Sequence, residues 1–141
     1  MKDILENSDK SKMVFSFKKE ERLCSKKVID TLFSRGDSFL SFPLKVVYLE
    51  TQLPTKHLVQ AAFTVGKRNF KLAVRRNHIK RKIREAYRLN KHILYKALGE
   101  KQLAVFFVFV GKESPDFILI ETAMKKGIDK LVKEIDSNKK A

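Results

Sequence analysis

Between Lys67 and Lys91 the chain reads KRNFKLAVRRNHIKRKIREAYRLNK, in which eleven side chains are basic and only Glu85 is acidic. This places +10 of the net +15 in one segment, where an even spread would leave about +3. From His78 onward the same stretch has a helical period. Ile79, Ile83, Ala86, Tyr87, Ile93, Leu94, Ala97 and Leu98 recur on one face. Lys80, Arg81, Arg84, Arg88 and Lys91 fall mostly off it. Any fold must therefore seat one side of this helix on a core and present the other outward. Arg75, Arg76, Lys80, Arg81 and Lys82 crowd the predicted N-terminus, where the helix dipole makes each cation cost about 0.3–1 kcal/mol. Bound phosphates would reverse that sign. A merely solvated face would be interspersed with acids, so the pattern points to a polyanionic partner.

The 141 residues suffice for one domain with a sizeable core, and 43% hydrophobic residues support globularity. No apolar run approaches the roughly 20 residues of a membrane span. The opening MKDILENSDKSKM has acids and no apolar stretch, unlike a signal peptide. The single cysteine, Cys24, fits a reducing compartment. A soluble, cytoplasmic, basic protein is expected, with no membrane and no DNA partner.

Residues 1–14 are polar and aperiodic and are expected to form a disordered tail, followed by one domain over 15–136 and a frayed tail at 137–141. A first helix fits Ser25 or Lys26 to Ser34, with Ser25 as N-cap and Gly36 as stop. Leu44–Glu50 and Leu58–Val65 are β-rich and flank a turn-like QLPTK, which predicts an antiparallel hairpin. A short extra strand is predicted at Phe70–Val74. Leu103–Val110 is apolar throughout, as a central strand buried on both faces would be. Ser114-Pro115-Asp116 signals the start of a last helix, whose apolar face runs from Phe117 to Ile135. The order predicts an α+β fold: a two-layer sandwich of a small mixed sheet of about four strands with about three helices.

The stretch TVGKRNFKLAVRRNHIKRKIREAYR resembles the protein subunit of bacterial ribonuclease P. That family's signature is a Ser-Lys-Lys-like segment, a spacer ending in Ala-Val, then Arg-Asn-Arg-x-Lys-Arg-x-x-Arg. Lys67 and Arg68 match the first part, with Gly66 in place of the serine. Ala73-Val74 match the spacer end, and Arg76 through Arg84 match the rest. FKKEERL at 17–23 and LFSRG at 32–36 are similar to other family segments. The chain departs from the pattern at His78, which replaces an arginine; an imidazole loses its charge in the neutral range where a guanidinium keeps it. The spacer NFKL is also one residue longer than in some members.

The resemblance implies a left-handed βαβ crossover around the basic helix, where the physical rule alone selects the right hand in about 98% of cases. It implies a ribonucleoprotein endonuclease that removes the 5′ leader of precursor tRNA. The catalytic centre would be an RNA with bound Mg²⁺, and the protein would assist. Lys67, Arg68, Arg75, Arg76, Asn77, His78, Lys80, Arg81, Arg84 and Arg88 would bind that RNA, Asn77 being equally suited to cap the helix. Phe33 and Tyr48 fall at positions of family aromatics that meet the leader, and Phe17 is a further candidate, with Phe15, because a third family aromatic is Ile29 here. For Phe33 core packing is the competing role, whereas the polar tip of Tyr48 suits exposure. His57, His78 and His92 have no carboxylate or cysteine at ligand spacing, and the acids are scattered, so neither a protein metal site nor a protein catalytic residue is expected. A non-catalytic ribosomal-type RNA-binding protein is the main rival. A helix-turn-helix DNA binder is disfavoured because strand-like LVQAAFTV stands where its first helix belongs, and a self-sufficient nuclease by the missing carboxylate cluster.

Overall fold

The order of elements places the basic helix between the two strands that end up side by side in the sheet. The structure is a computed structural model and describes residues 17–140, so the expected 1–14 tail and Ala141 lie outside the described residues. After a 3-10 turn at Lys19–Glu21 come α1 (Lys26–Arg35), β1 (Asp37–Ser41), β2 (Leu44–Glu50), β3 (Val59–Val65), α2 (Ala73–Leu98), β4 (Leu103–Phe109) and α3 (Phe117–Lys140). The four strands form one mixed sheet in the order β1-β2-β4-β3. β3 and β4 run parallel, and the other pairs are antiparallel. The unit β3–α2–β4 is thus a βαβ crossover. α+β architecture with about four strands and three helices is what the sequence predicts.

The predicted hairpin between Leu44–Glu50 and Leu58–Val65 does not form. β4 lies between them, pairing Val47 with Phe106 on one side and Ala62 with Phe106 on the other. A strand apolar on both faces gains most from the centre, which outweighs the sequence proximity of β2 and β3. The hairpin partner of β2 is instead β1, whose short, polar and largely exposed DSFLS carries little strand signal. The loop from Thr51 to Leu58 becomes a crossing held by Gln102, whose side chain accepts from Leu53 N–H (2.9 Å) and donates to Thr55 and His57 carbonyls (2.7 and 3.0 Å).

α1 follows expectation closely: Ser25 Oγ accepts from Val28 N–H and Gly36 N–H donates to the Leu32 carbonyl. Gly36 is required by crowding, since a Cβ there would stand 2.3 Å from Leu32 O and 2.8 Å from Tyr48 O. Two other expected boundaries move. α2 begins at Ala73, so no strand exists at Phe70–Val74, and Asn77 lies inside the second turn rather than at the cap, which is Leu72. α3 begins at Phe117, with Asp116 Oδ1 accepting from Leu119 N–H (3.1 Å), so the acid of Ser-Pro-Asp does the capping.

Alternation along the strands makes two cores. Val46, Tyr48, Val105 and Phe107 face α2 and α3, packing with Ile79, Ile83, Tyr87, Met124 and Ile128. Val47, Ala104 and Phe106 face the opposite way, where α1 covers them with Leu32, Ile29 and Val28. Ile93, expected on the apolar face of α2, is 37% exposed.

Lys91 is the larger surprise. Expected off that face, it is buried, and its Nζ donates to Glu21 Oε1 at 2.6 Å. Tyr95 OH donates to the same oxygen (2.9 Å) and Lys18 N–H to Oε2 (2.7 Å). Burial alone would raise the Glu21 carboxyl, but these donors, Lys91 foremost, hold it below its ordinary value. The pair fastens the segment before α1 to α2, and Leu23 N–H to Ala61 O (3.0 Å) fastens it to β3. Because the folded-state value is depressed, this contribution is complete above the ordinary value of 4.5 and is lost as pH falls through the folded one. Lys91→Met strands a buried carboxylate and should cost about 3–5 kcal/mol in denaturant unfolding at pH 7. The deficit relative to the parent chain should shrink on acidification, and a pH-independent deficit would contradict the assignment.

Candidate nucleic-acid interface

α2 sorts its cations by what lies beneath them. Ile79, Ile83, Ala86 and Tyr87 are fully buried, which fixes the rotation of the helix and turns Arg75, His78, Arg81 and Arg84 outward, all exposed. They line an open groove of about 840 Å³ together with Val74, Asn77, Lys80 and Ser114. Four of its eight lining residues are cations and none is an acid. The first turn of α2 likewise contains no acid, so the unpaired N–H groups and the dipole add to the same positive field. Among the described residues, the side chains of Arg75, Lys80, Arg81 and Arg84 make no hydrogen bond or salt bridge within the chain. Lys67 and Arg68 are exposed in the turn ahead of the helix, outside the groove lining.

The other basic residues of this stretch have partners in the fold. Arg76 Nη1 donates to the carbonyls of Phe70 (2.7 Å) and Lys71 (2.9 Å), bracing the entry into the helix. Lys82 Nζ donates to Pro115 O (2.7 Å) at the head of α3. Arg88 forms a two-point contact with Glu85, at 2.5 and 3.1 Å, and the guanidinium holds that carboxyl below its usual range. The expected row of Arg76, Lys80, Arg84 and Arg88 is thus braced within the protein at both ends, and the open array is centred on Arg75, His78, Arg81 and Arg84.

The three aromatics expected at a second surface do not share one. Phe33 is 54% exposed and meets Phe106 edge-on, centroids 5.1 Å apart, on the α1 side of the sheet. Tyr48 is only 7% exposed, on the other side, against Phe39; burial pushes its phenol up, with Glu134 and Asp37 adding to the shift. Its even-numbered position in β2 aims it under α3, so the expectation of exposure fails and its ring is covered. Phe17 also packs on the helix-covered side, edge-on to Phe63 and Tyr87. The residue missed is Phe106. It is half-buried beside Phe33, and Lys45, exposed, pairs with the neighbouring Val108. Period-two alternation within LAVFFVF would have separated Phe106 from Phe107, but an all-apolar strand does not say which face is open.

Among the described residues no three His, Cys, Asp or Glu side chains gather at metal-binding distance, and no helix is long and apolar enough to cross a membrane. A groove with four cations and no acid at a helix start, set on a small mixed sheet, gives an α+β protein whose electrostatics suit a polyanion. The comparisons narrow this class. The sequence model of the family Ribonuclease P matches residues 17–132. The ribonuclease P protein component of Porphyromonas gingivalis W83 is 40% identical over 129 residues, covering 88% of this chain and 92% of that protein. That of Chlorobium phaeobacteroides is 34% identical, covering 80% and 86%. The chain belongs to the ribonuclease P protein family. The fold agrees. The RNase P protein of Thermotoga maritima superposes with a TM-score of 0.62 at 22% identity (78% of this chain, 96% of that one), and that of Staphylococcus aureus with 0.61 at 21% (82% and 97%).

Replacing Arg81 and Arg84 together by Ala should weaken RNA binding and reduce the slope of log K against log salt by about 1.4–1.8. Arg76→Ala should leave that slope nearly unchanged and instead lower unfolding stability by about 1–2 kcal/mol. Titrations at several salt concentrations and denaturant melts separate the two.

Proposed function

We propose that the chain is the protein subunit of a ribonuclease P ribonucleoprotein, which removes the 5′ leader of precursor tRNA in the cytoplasm. The groove on α2 holds phosphates of the catalytic RNA through Arg75, Lys80, Arg81 and Arg84. Asn77 and His78 offer hydrogen bonds between them, and Lys67 and Arg68 extend the field from the preceding turn. The observation that carries this reading is a groove with four cations and no acid at the positive end of a helix.

The leader of precursor tRNA is assigned to the α1 side of the sheet. There Phe33 and Phe106 offer adjacent ring surface and Lys45 a nearby charge, the combination that holds single strands by stacking at about 1–3 kcal/mol per base. Phosphodiester hydrolysis is assigned to the RNA partner. The described carboxylates are dispersed, so the donor set of this chain does not fit a Mg²⁺ pair. Mg²⁺ would be bound mainly by the RNA, and the protein would supply affinity and orientation. Cations at the RNA junction also lower the Mg²⁺ needed to screen phosphate repulsion.

Leader cleavage measured with protein alone, RNA alone and both together tests this. At low Mg²⁺, cleavage should require the RNA and be strongly stimulated by the protein. Cleavage by the protein alone, or no stimulation, would overturn the reading. Phe33→Ala with Phe106→Ala should weaken substrates that carry a leader by about 1–3 kcal/mol per lost stack and leave a leaderless tRNA unaffected.

A further inference from the structure

The cationic groove does not end in solvent. Ser114 lines it and also lines a second cleft of about 460 Å³ between the β1–β2 turn, the end of β4 and the head of α3. Phe42, Pro43, Phe109, Val110 and Leu119 give this cleft its apolar walls, and Lys112, Glu113 and Asp116 also line it; Asp116 Oδ1 is engaged by Leu119 N–H. Phe42 is 66% exposed and Leu119 46%. Exposed apolar side chains gathered around a concavity, rather than scattered singly, mark an interaction site. Its size falls within the range of about 300–1,000 Å³ for small-ligand sites.

The cleft is built rather than accidental. Val110 N–H donates to Pro43 O (2.9 Å), tying the turn to the end of β4. Gly111 keeps the floor open, since a Cβ there would stand 2.7 Å from Phe109 Cζ and 3.3 Å from Pro43 Cβ. A largely apolar cleft that meets an acid-free cationic groove at Ser114 suits a ligand with an uncharged flat part joined to a phosphate. RNA offers both where a base leaves the helix stack.

Resting on the reading of the α2 groove as an RNA site, we propose that this cleft takes one unpaired base of the partner RNA, whose flanking phosphates lie on Arg75 and Arg81. Phe42 supplies the stacking face and Leu119 the opposite wall. The cleft thereby selects a bulged or looped nucleotide at one register along the groove, where phosphate contacts alone would allow sliding.

The full chain is titrated with a short RNA hairpin carrying one unpaired fluorescent adenine analogue, and with the same hairpin in which that base is paired. The unpaired form should bind about tenfold more tightly, with a change in its fluorescence. Phe42→Ala and, separately, Leu119→Ser should bring it down to the affinity of the paired form, with melting temperatures unchanged because both side chains are exposed. Equal binding of the two hairpins by the parent chain overturns the proposal. So does capture of phosphatidylglycerol vesicles through Phe42 without any preference between hairpins. Loss of binding to both hairpins, or indifference of both to Arg81→Ala with Arg84→Ala, would bring down the groove reading itself and is distinguishable from loss of the preference alone.

Discussion

The structure depends on the apolar seam of α2. Ile79, Ile83, Ala86, Tyr87, Leu94 and Leu98 are buried between the sheet and α3, and each large side chain contributes about 1.5–3 kcal/mol. Against this stands the mutual repulsion of cations on the outer face, a few tenths of a kcal/mol per neighbouring pair. The seam wins by a wide margin. It therefore holds in place an array of charge that no isolated helix would favour, with the cations at the wrong end of the dipole. An anion bound there would relieve part of the repulsion.

The chain reduces this repulsion where the cations are not needed for a ligand. Arg76, Lys82, Arg88 and Lys91 are directed to a loop, to the head of α3, to Glu85 and to Glu21. The first two of these contacts border the groove, and the Lys91 contact braces the fold elsewhere. Arg76 sets the approach of the Lys67–Arg68 turn, Lys82 sets the position of Ser114, and Lys91 locks the leading segment across β3. What remains unpaired among the described residues of the groove is a compact set, Arg75, Lys80, Arg81 and Arg84. Charge density and charge placement are thus separate properties of one helix, and only the first can be counted from composition.

Legibility in the sequence followed range of interaction. β2 and α1 were readable nearly to the residue because their signals, β-branched runs and a Ser cap with a terminating Gly, are local. The basic helix was readable as amphipathic, but its start was misplaced because Leu72 caps it with backbone alone and leaves no side-chain signature. Strand order was not readable: the central place of β4 depends on burial of both its faces, which competes with hairpin formation only once the whole chain has collapsed. The buried Lys91–Glu21 pair spans 70 positions, and nothing near either residue announces the other. Tyr48 failed for a related reason. Its polar tip suits exposure, yet strand parity puts it beneath α3. At the candidate interface, Asn77, His78, Lys80, Arg81 and Arg84 belong to the motif, Arg75 to the basic stretch around it, and all line one groove, while Phe106 was hidden in an all-apolar strand.

The central claim is that the outward face of the first turns of α2 is the phosphate-binding surface. Amide hydrogen exchange along the full chain, measured with and without a ribonuclease P RNA, tests it most directly. The account predicts slowed exchange over residues 73–84, centred on Arg75 to Arg81, with the exposed face of α3 unaffected. Protection that appeared on α3 and left 73–84 unchanged would contradict it.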